Sequence, residues 1–244
     1  MSDNLSHRPM PDTNSWPAFT LAWDNSFTGP TDMSYLLDKP AGATGFIKVV
    51  NGHLATGDGR RWRIWGQHFQ HSMALPSTTM APVVISRLAQ FGINCIRLHF
   101  LDRLHWPDGL LMRNTESTRA LDPEALARFD WFVACCRQQG MYLDLNLHVG
   151  RQFTAADGIK QPDQAGWAKP MNYFDDWLIT LQKEYAQQLL DHVNPFTGNR
   201  YAEEPTIAIV EITNENSISE FWRADNLRGE QAETRVNWGD IPPA

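Results

Sequence analysis

The sequence predicts an α/β fold: the first half of a (β/α)8 barrel, strands one to four, with an N-terminal β-hairpin. Two observations carry this expectation. Strand-like and helix-like segments alternate from about residue 62 in the order βαβαβαβ, which calls for parallel strands with helices outside. The last strand-like run, IAIVEITNEN at 207–216, is apolar on one face through Ala208, Val210 and Ile212. Its other face turns polar through Glu211 and Thr213 and finishes on Glu215. A barrel strand has this form when helices cover its outside and a site sits at its C-terminal mouth. A doubly wound sheet shares the alternation, but no glycine-rich phosphate loop follows the first strand, which disfavours a dinucleotide fold.

Residues 1–45, rich in Pro, Ser, Asp, Asn and Gly, read as an irregular lead-in, with an apolar contact expected from Phe19, Leu21 and Trp23. Residues 46–244 read as the N-terminal part of the barrel domain. Strands at 46–50, 53–55 and 62–65, with turns at Asn51-Gly52 and 57–59, form a series that closes the barrel bottom. The first barrel strand is expected at 62–69, a helix at 78–90 with Pro82 tolerated in its first turn, and a second strand at 93–100. Asp122 and Pro123 are a cap and a first-turn proline, starting a helix that Gly140 ends. A strand at 142–148, a helix at 175–193 and the 207–216 strand complete the order.

A chain of 244 residues with 42% hydrophobic and 20% charged residues is long enough to bury a sizeable core. Its net charge of −7 and lack of any basic run argue against a nucleic-acid partner. Its ten Trp fill cores or offer flat faces to sugar rings, and the count alone favours the core. Three cysteines, Cys95, Cys135 and Cys136, give neither a disulfide framework nor zinc spacing, so buried thiols are expected. The N-terminus lacks the apolar stretch of an export signal, and no run reaches 18 apolar residues. No membrane partner is expected, and the cytoplasm is the default location.

Polar residues converge on one face of three strands. Cys95, Arg97 and His99 share a face, as do Tyr142, Asp144, Asn146 and His148, and Glu211, Thr213 and Glu215. Charges inside a barrel are costly unless they pair or bind something. A buried ion network that merely supports the barrel is the plainer alternative, strongest for Asp144 and Glu211.

Three segments carry a resemblance. Gly92-Ile93-Asn94-Cys95-Ile96-Arg97 resembles the second strand of glycoside hydrolase family 5 and its clan A relatives, and residues 143–148 resemble the third. Glu211-Ile212-Thr213-Asn214-Glu215 is similar to the fourth-strand E-x-x-N-E pattern of the cellulase and mannanase families. The resemblance spans roughly 46–220. It implies a barrel that hydrolyses β-linked oligo- or polysaccharides with retention, without metal or other cofactor. Glu215 would be the acid/base, Asn214 would contact the 2-hydroxyl, Arg97 would support the carboxylates and His148 would line the −1 subsite. Trp106 and Trp222, in loops after strands two and four, are candidate sugar-stacking surfaces, with loop packing as the alternative. Asn216 stands where the family usually has Pro.

A retaining pair of carboxyl groups lies about 5–5.5 Å apart. Glu211 sits roughly 13 Å deeper than Glu215 at ~3.3 Å per residue, and Asp102 is the only other resident candidate. In the clan the nucleophile comes from the seventh strand, and the sequence ends 29 residues after Glu215. The 244-residue piece is therefore expected to be inactive alone and, with open sheet edges, to self-associate. A metal-dependent hydrolase using His68, His71, His99 and His148, or a carbohydrate-binding or assembly protein, are the competing readings.

Overall fold

The computed structural model describes residues 12–16, 29–104, 109–112 and 115–223. Strands β1 (Lys48–Val50) and β2 (His53–Ala55) pair antiparallel. Asn51 (φ 49°) and Gly52 (φ 75°) are both left-handed between them, the backbone that a two-residue hairpin turn requires. Beneath the barrel strands, Ala41, Trp62, Cys95 and Tyr142 form a small core against which Ile47, Leu54 and Ala208 pack. The hairpin thus covers the N-terminal ends of the strands, as expected.

Four parallel strands follow in the order β3-β4-β5-β6: β3 (Gly66–Gln70), β4 (Cys95–His99), β5 (Tyr142–His148) and β6 (Ile207–Thr213). Between them lie α1 (Met80–Gln90), α2 (Pro123–Gln139), the short α3 (Pro162–Ala165) and α4 (Asp176–Leu190). α5 (Ile218–Arg223) follows β6. Asp122 accepts from the amides of Glu124 and Ala125 at the start of α2, and Gly140 (φ 81°) ends that helix in the left-handed region. Asp175 caps α4 through the Leu178 amide. Leu143, Leu145 and Leu147 of β5 face outward into a core shared with Ile85, Phe129, Phe132, Val133 and Leu189 of the helices.

The first barrel strand is shorter than residues 62–69. Residues 62–65 make no ladder because the Asn94 side chain takes their polar groups, accepting from the Trp65 amide at 2.8 Å and donating to the Arg63 carbonyl at 2.7 Å. The expected third strand of the hairpin series reduces to one bridge, Ala55 to Arg61, with Trp62 buried below. α4 stops at Leu190, because residues 193 and 200 instead bridge each other. A bulge between Leu143 and Asp144 shifts the β5–β6 register, bringing Asn146 opposite Glu211 and His148 opposite Thr213. Phe19, Leu21 and Trp23 lie outside the described residues.

Candidate active site

Arg97 is the hub of the inward face. It stands between His68 and Asp144 in the strand register. Its Nε and Nη2 donate to Glu211 Oε1 and Oε2 at 2.6 and 2.7 Å, its Nη2 also to Asn214 Oδ1 at 2.9 Å, and its Nη1 meets His99 Nδ1 at 3.0 Å. Asn146 Nδ2 donates to Glu211 at 2.6 Å. Burial, then the Arg97 charge, pushes His99 down to about 4, so its Nδ1 is an acceptor. Burial, with the neighbouring Glu211, pushes Asp144 up to about 7, while Arg97 holds Glu211 below the usual carboxylate range. The two carboxyls are thus driven apart, with Asp144 favouring its protonated form and Glu211 its ionised form.

Two residues past β6, Glu215 sits on left-handed backbone (φ 50°). The ladder ends at Thr213, so strand alternation does not extend to it. Its side chain is 62% exposed. Asn214 before it is held at three atoms. Its amide donates to the His148 carbonyl at 2.9 Å, its Oδ1 accepts from Arg97, and its carbonyl accepts from Lys169 Nζ at 2.9 Å. Its Nδ2 is buried with no partner among the described residues.

His148 is buried, with Nδ1 3.3 Å from Asp102 Oδ2 and Nε2 accepting from Asn172 Nδ2. Asp102 is wholly buried and takes the amides of Val149, Gly150 and Arg151 at 2.8–3.1 Å. Burial alone would raise Asp102, but the His148 ring and these amides outweigh it and hold the carboxyl low. Its lone pairs are spent on the loop after β5, so Asp102 is not a reserve nucleophile. Asn216 is buried, and its amide has no partner among the described residues. It lines a cavity of about 270 Å³ with Arg151, Tyr185 and Ile212.

Trp222 lies on α5 and is 76% exposed, whereas Trp106 lies outside the described residues. The histidines of the metal reading are dispersed among other partners. His68 packs edge-on against His99, His71 stacks on Phe100, and His148 binds Asp102. Among the described residues no three His, Cys, Asp or Glu side chains form a group that could hold a metal ion, and no helix is long and apolar enough to cross a membrane. Sequence reasoning missed Lys169 and Asn172, both on the loop between β5 and α4. A lysine or asparagine in a polar loop gives no signal that it turns inward.

The profile of Cellulase (glycosyl hydrolase family 5) matches residues 64–232. The chain belongs to glycosyl hydrolase family 5. Within this family-5 chain the matched span takes in all four parallel strands and the Asn214-Glu215 turn. No curated protein matches the sequence. Among solved structures, the endo-1,4-β-mannanase of Rhizomucor miehei is similar at a TM-score of 0.58 and 19% identity, over 70% of this chain and 48% of that one. A family 5 mannosidase of the same organism is similar at 0.54 and 16%, over 70% and 49%. The likeness is one of fold, that of the barrel, and the chain spans about half the length of those structures.

Proposed function

We propose that this family 5 chain is the acid/base half of a retaining β-glycosidase. Glu215 is the acid/base, and the nucleophile comes from outside the described residues. The observation that carries the reading is the pinning of Asn214. With its amide, Oδ1 and carbonyl all engaged, Asn214 is fixed immediately before an exposed carboxylate, and its buried Nδ2, its one side-chain donor, is left unpaired among the described residues. A donor fixed in this way strengthens its bond to a sugar hydroxyl in the transition state without reorganising. Arg97 orients that donor, and Trp222 offers an exposed ring on α5. Buried His148 acts through its carbonyl, which holds the Asn214 amide.

The substrate class is a β-linked glycan. The names of the structural neighbours make β-mannan the first to assay. Among the described residues Asp102 and Glu211 are both committed to other bonds, so neither serves as the second carboxylate. The test compares Glu215→Gln with the parent in a protein that carries the whole barrel. The variant should lose about 10²-fold or more on mannan oligosaccharides and far less on an activated aryl glycoside. Equal rates for variant and parent on both substrates would refute the assignment.

One observation favours a second reading, assembly through the outer face. Val210 and Ile212 on that face of β6 are 42% and 76% exposed. Sedimentation of the chain with and without glycan separates the two readings.

A further inference from the structure

Lys169 is a buried lysine beside an exposed glutamate, the reverse of an ordinary surface pair. Its side chain is 1% exposed and that of Glu215 is 62% exposed. The lysine backbone is fixed from outside the site. Ala168 before it is left-handed (φ 52°) and packs with Phe153, Leu178 and Leu181 in a cluster of its own. The Ala168 carbonyl accepts from the amides of Met171 and Asn172. From this base the ammonium reaches the Asn214 carbonyl at 2.9 Å, lies 3.9 Å from Glu215 Oε2, and sits 5.6 Å from the centre of the Trp167 ring.

The turn it reaches needs holding. A left-handed non-glycine residue is strained and persists only where its surroundings over-determine it. On the C-terminal side of Glu215 the Asn216 amide group makes no hydrogen bond among the described residues. Further on, the Ser217 carbonyl accepts from the amides of Glu220 and Phe221 at the start of α5, and on the N-terminal side the restraint comes through Asn214. Its carbonyl, which belongs to the peptide plane that sets the φ of Glu215, is bonded by Lys169.

We infer that Lys169 is a positioning residue for Glu215: its buried ammonium fixes the peptide plane that aims the carboxylate into the barrel mouth. The inference rests on the acid/base reading of Glu215. Burial pushes Lys169 below the ordinary lysine range, and Glu215 is the largest influence opposing this, with Asp102 and Glu220 contributing less. The Lys169 charge also acts on His99.

The first arm of the test needs no turnover. In a chain with labelled lysine side chains, the Lys169 signal is titrated by NMR in the parent and in Glu215→Gln, a change at an exposed site that leaves packing intact. The expected result is a midpoint lower by about half a pH unit or more in the variant. An unchanged midpoint overturns the coupling. The second arm uses the protein carrying the whole barrel. Lys169→Met should cut kcat on mannopentaose by about 10²-fold and spare the burst rate on dinitrophenyl β-mannoside, whose leaving group departs without a proton. Lys169→Arg, which keeps the donor, should restore most of the loss. Equal losses on both substrates, or no rescue by Arg, mean that Lys169 only supports the loop. A parent protein without turnover on any glycoside refutes the glycosidase reading instead, and the titration then decides the lysine alone.

Discussion

Arg97 and Glu211 are joined across the sheet by two parallel hydrogen bonds of 2.6 and 2.7 Å, and the nitrogen that makes the second also holds Asn214. One guanidinium thus ties a carboxylate inside the barrel to the residue that precedes Glu215. A lysine offers a point charge without the planar fork and cannot make all three bonds. Arg97→Lys should lower stability by about 2 kcal/mol in urea unfolding, the scale of hydrogen bonds to charged groups. It should also weaken glycan binding by releasing Asn214. Glu211→Gln, which keeps the shape and one acceptor, should cost less.

Asp144 gives the protein a pH dependence of known sign. Its folded-state value is raised from 3.8 to about 7, first by burial and then by Glu211. A raised carboxyl contributes stability that is fully present below about pH 4 and is lost as pH rises through 7. Glu211 is lowered, so its contribution runs the other way and is lost in acid. Urea midpoints at pH 5 and pH 8 should fall in the parent chain, and fall less in Asp144→Asn, which cannot ionise. An identical decline in both would show that Asp144 is not the source of the pH dependence.

Asp102 carries structure. It closes the start of the loop after β5 by accepting three amides and facing the His148 ring, all without solvent. Asp102→Asn presents an NH2 group to at least one of those donors and should cost about 3 kcal/mol. The loss should appear as a lower urea midpoint. Faster hydrogen exchange at Val149, Gly150 and Arg151 should accompany it.

The strands were legible because their signals are local. The leucines of β5 alternate with Tyr142, Asp144, Asn146 and His148, and the observed strand has the expected bounds. Asp122, Pro123 and Gly140 marked both ends of α2. The failures came where a side chain competed with the backbone, as Asn94 does over residues 62–65, or where a ladder ended early, as β6 does before Glu215. Asn214 and Glu215 were readable as a motif. The bonds that orient them were not, because Lys169 lies 45 positions away on a loop whose inward turn depends on the packing of Ala168.

The outer face of β6 sets the last prediction. Ala208 reaches the bottom cluster, but Val210 and Ile212 beyond it are exposed where the other strands are covered by helices. Ile212 also borders the cavity beside α4, so the exposed apolar surface continues into a groove. Exposed apolar surface of this kind, on a strand that ends the sheet among the described residues, favours association with another copy. The 244-residue chain should therefore sediment above its 27.8 kDa mass at micromolar concentration. Ile212→Lys should shift it toward the monomer with little change in folding stability, because the side chain is already in water. Lys169 bonds the Asn214 carbonyl and faces Glu215, not Ile212, so this substitution should leave the Lys169 titration unaltered. A parent chain that stays monomeric at these concentrations would show that this face is covered in solution, and the assembly reading would fall with it.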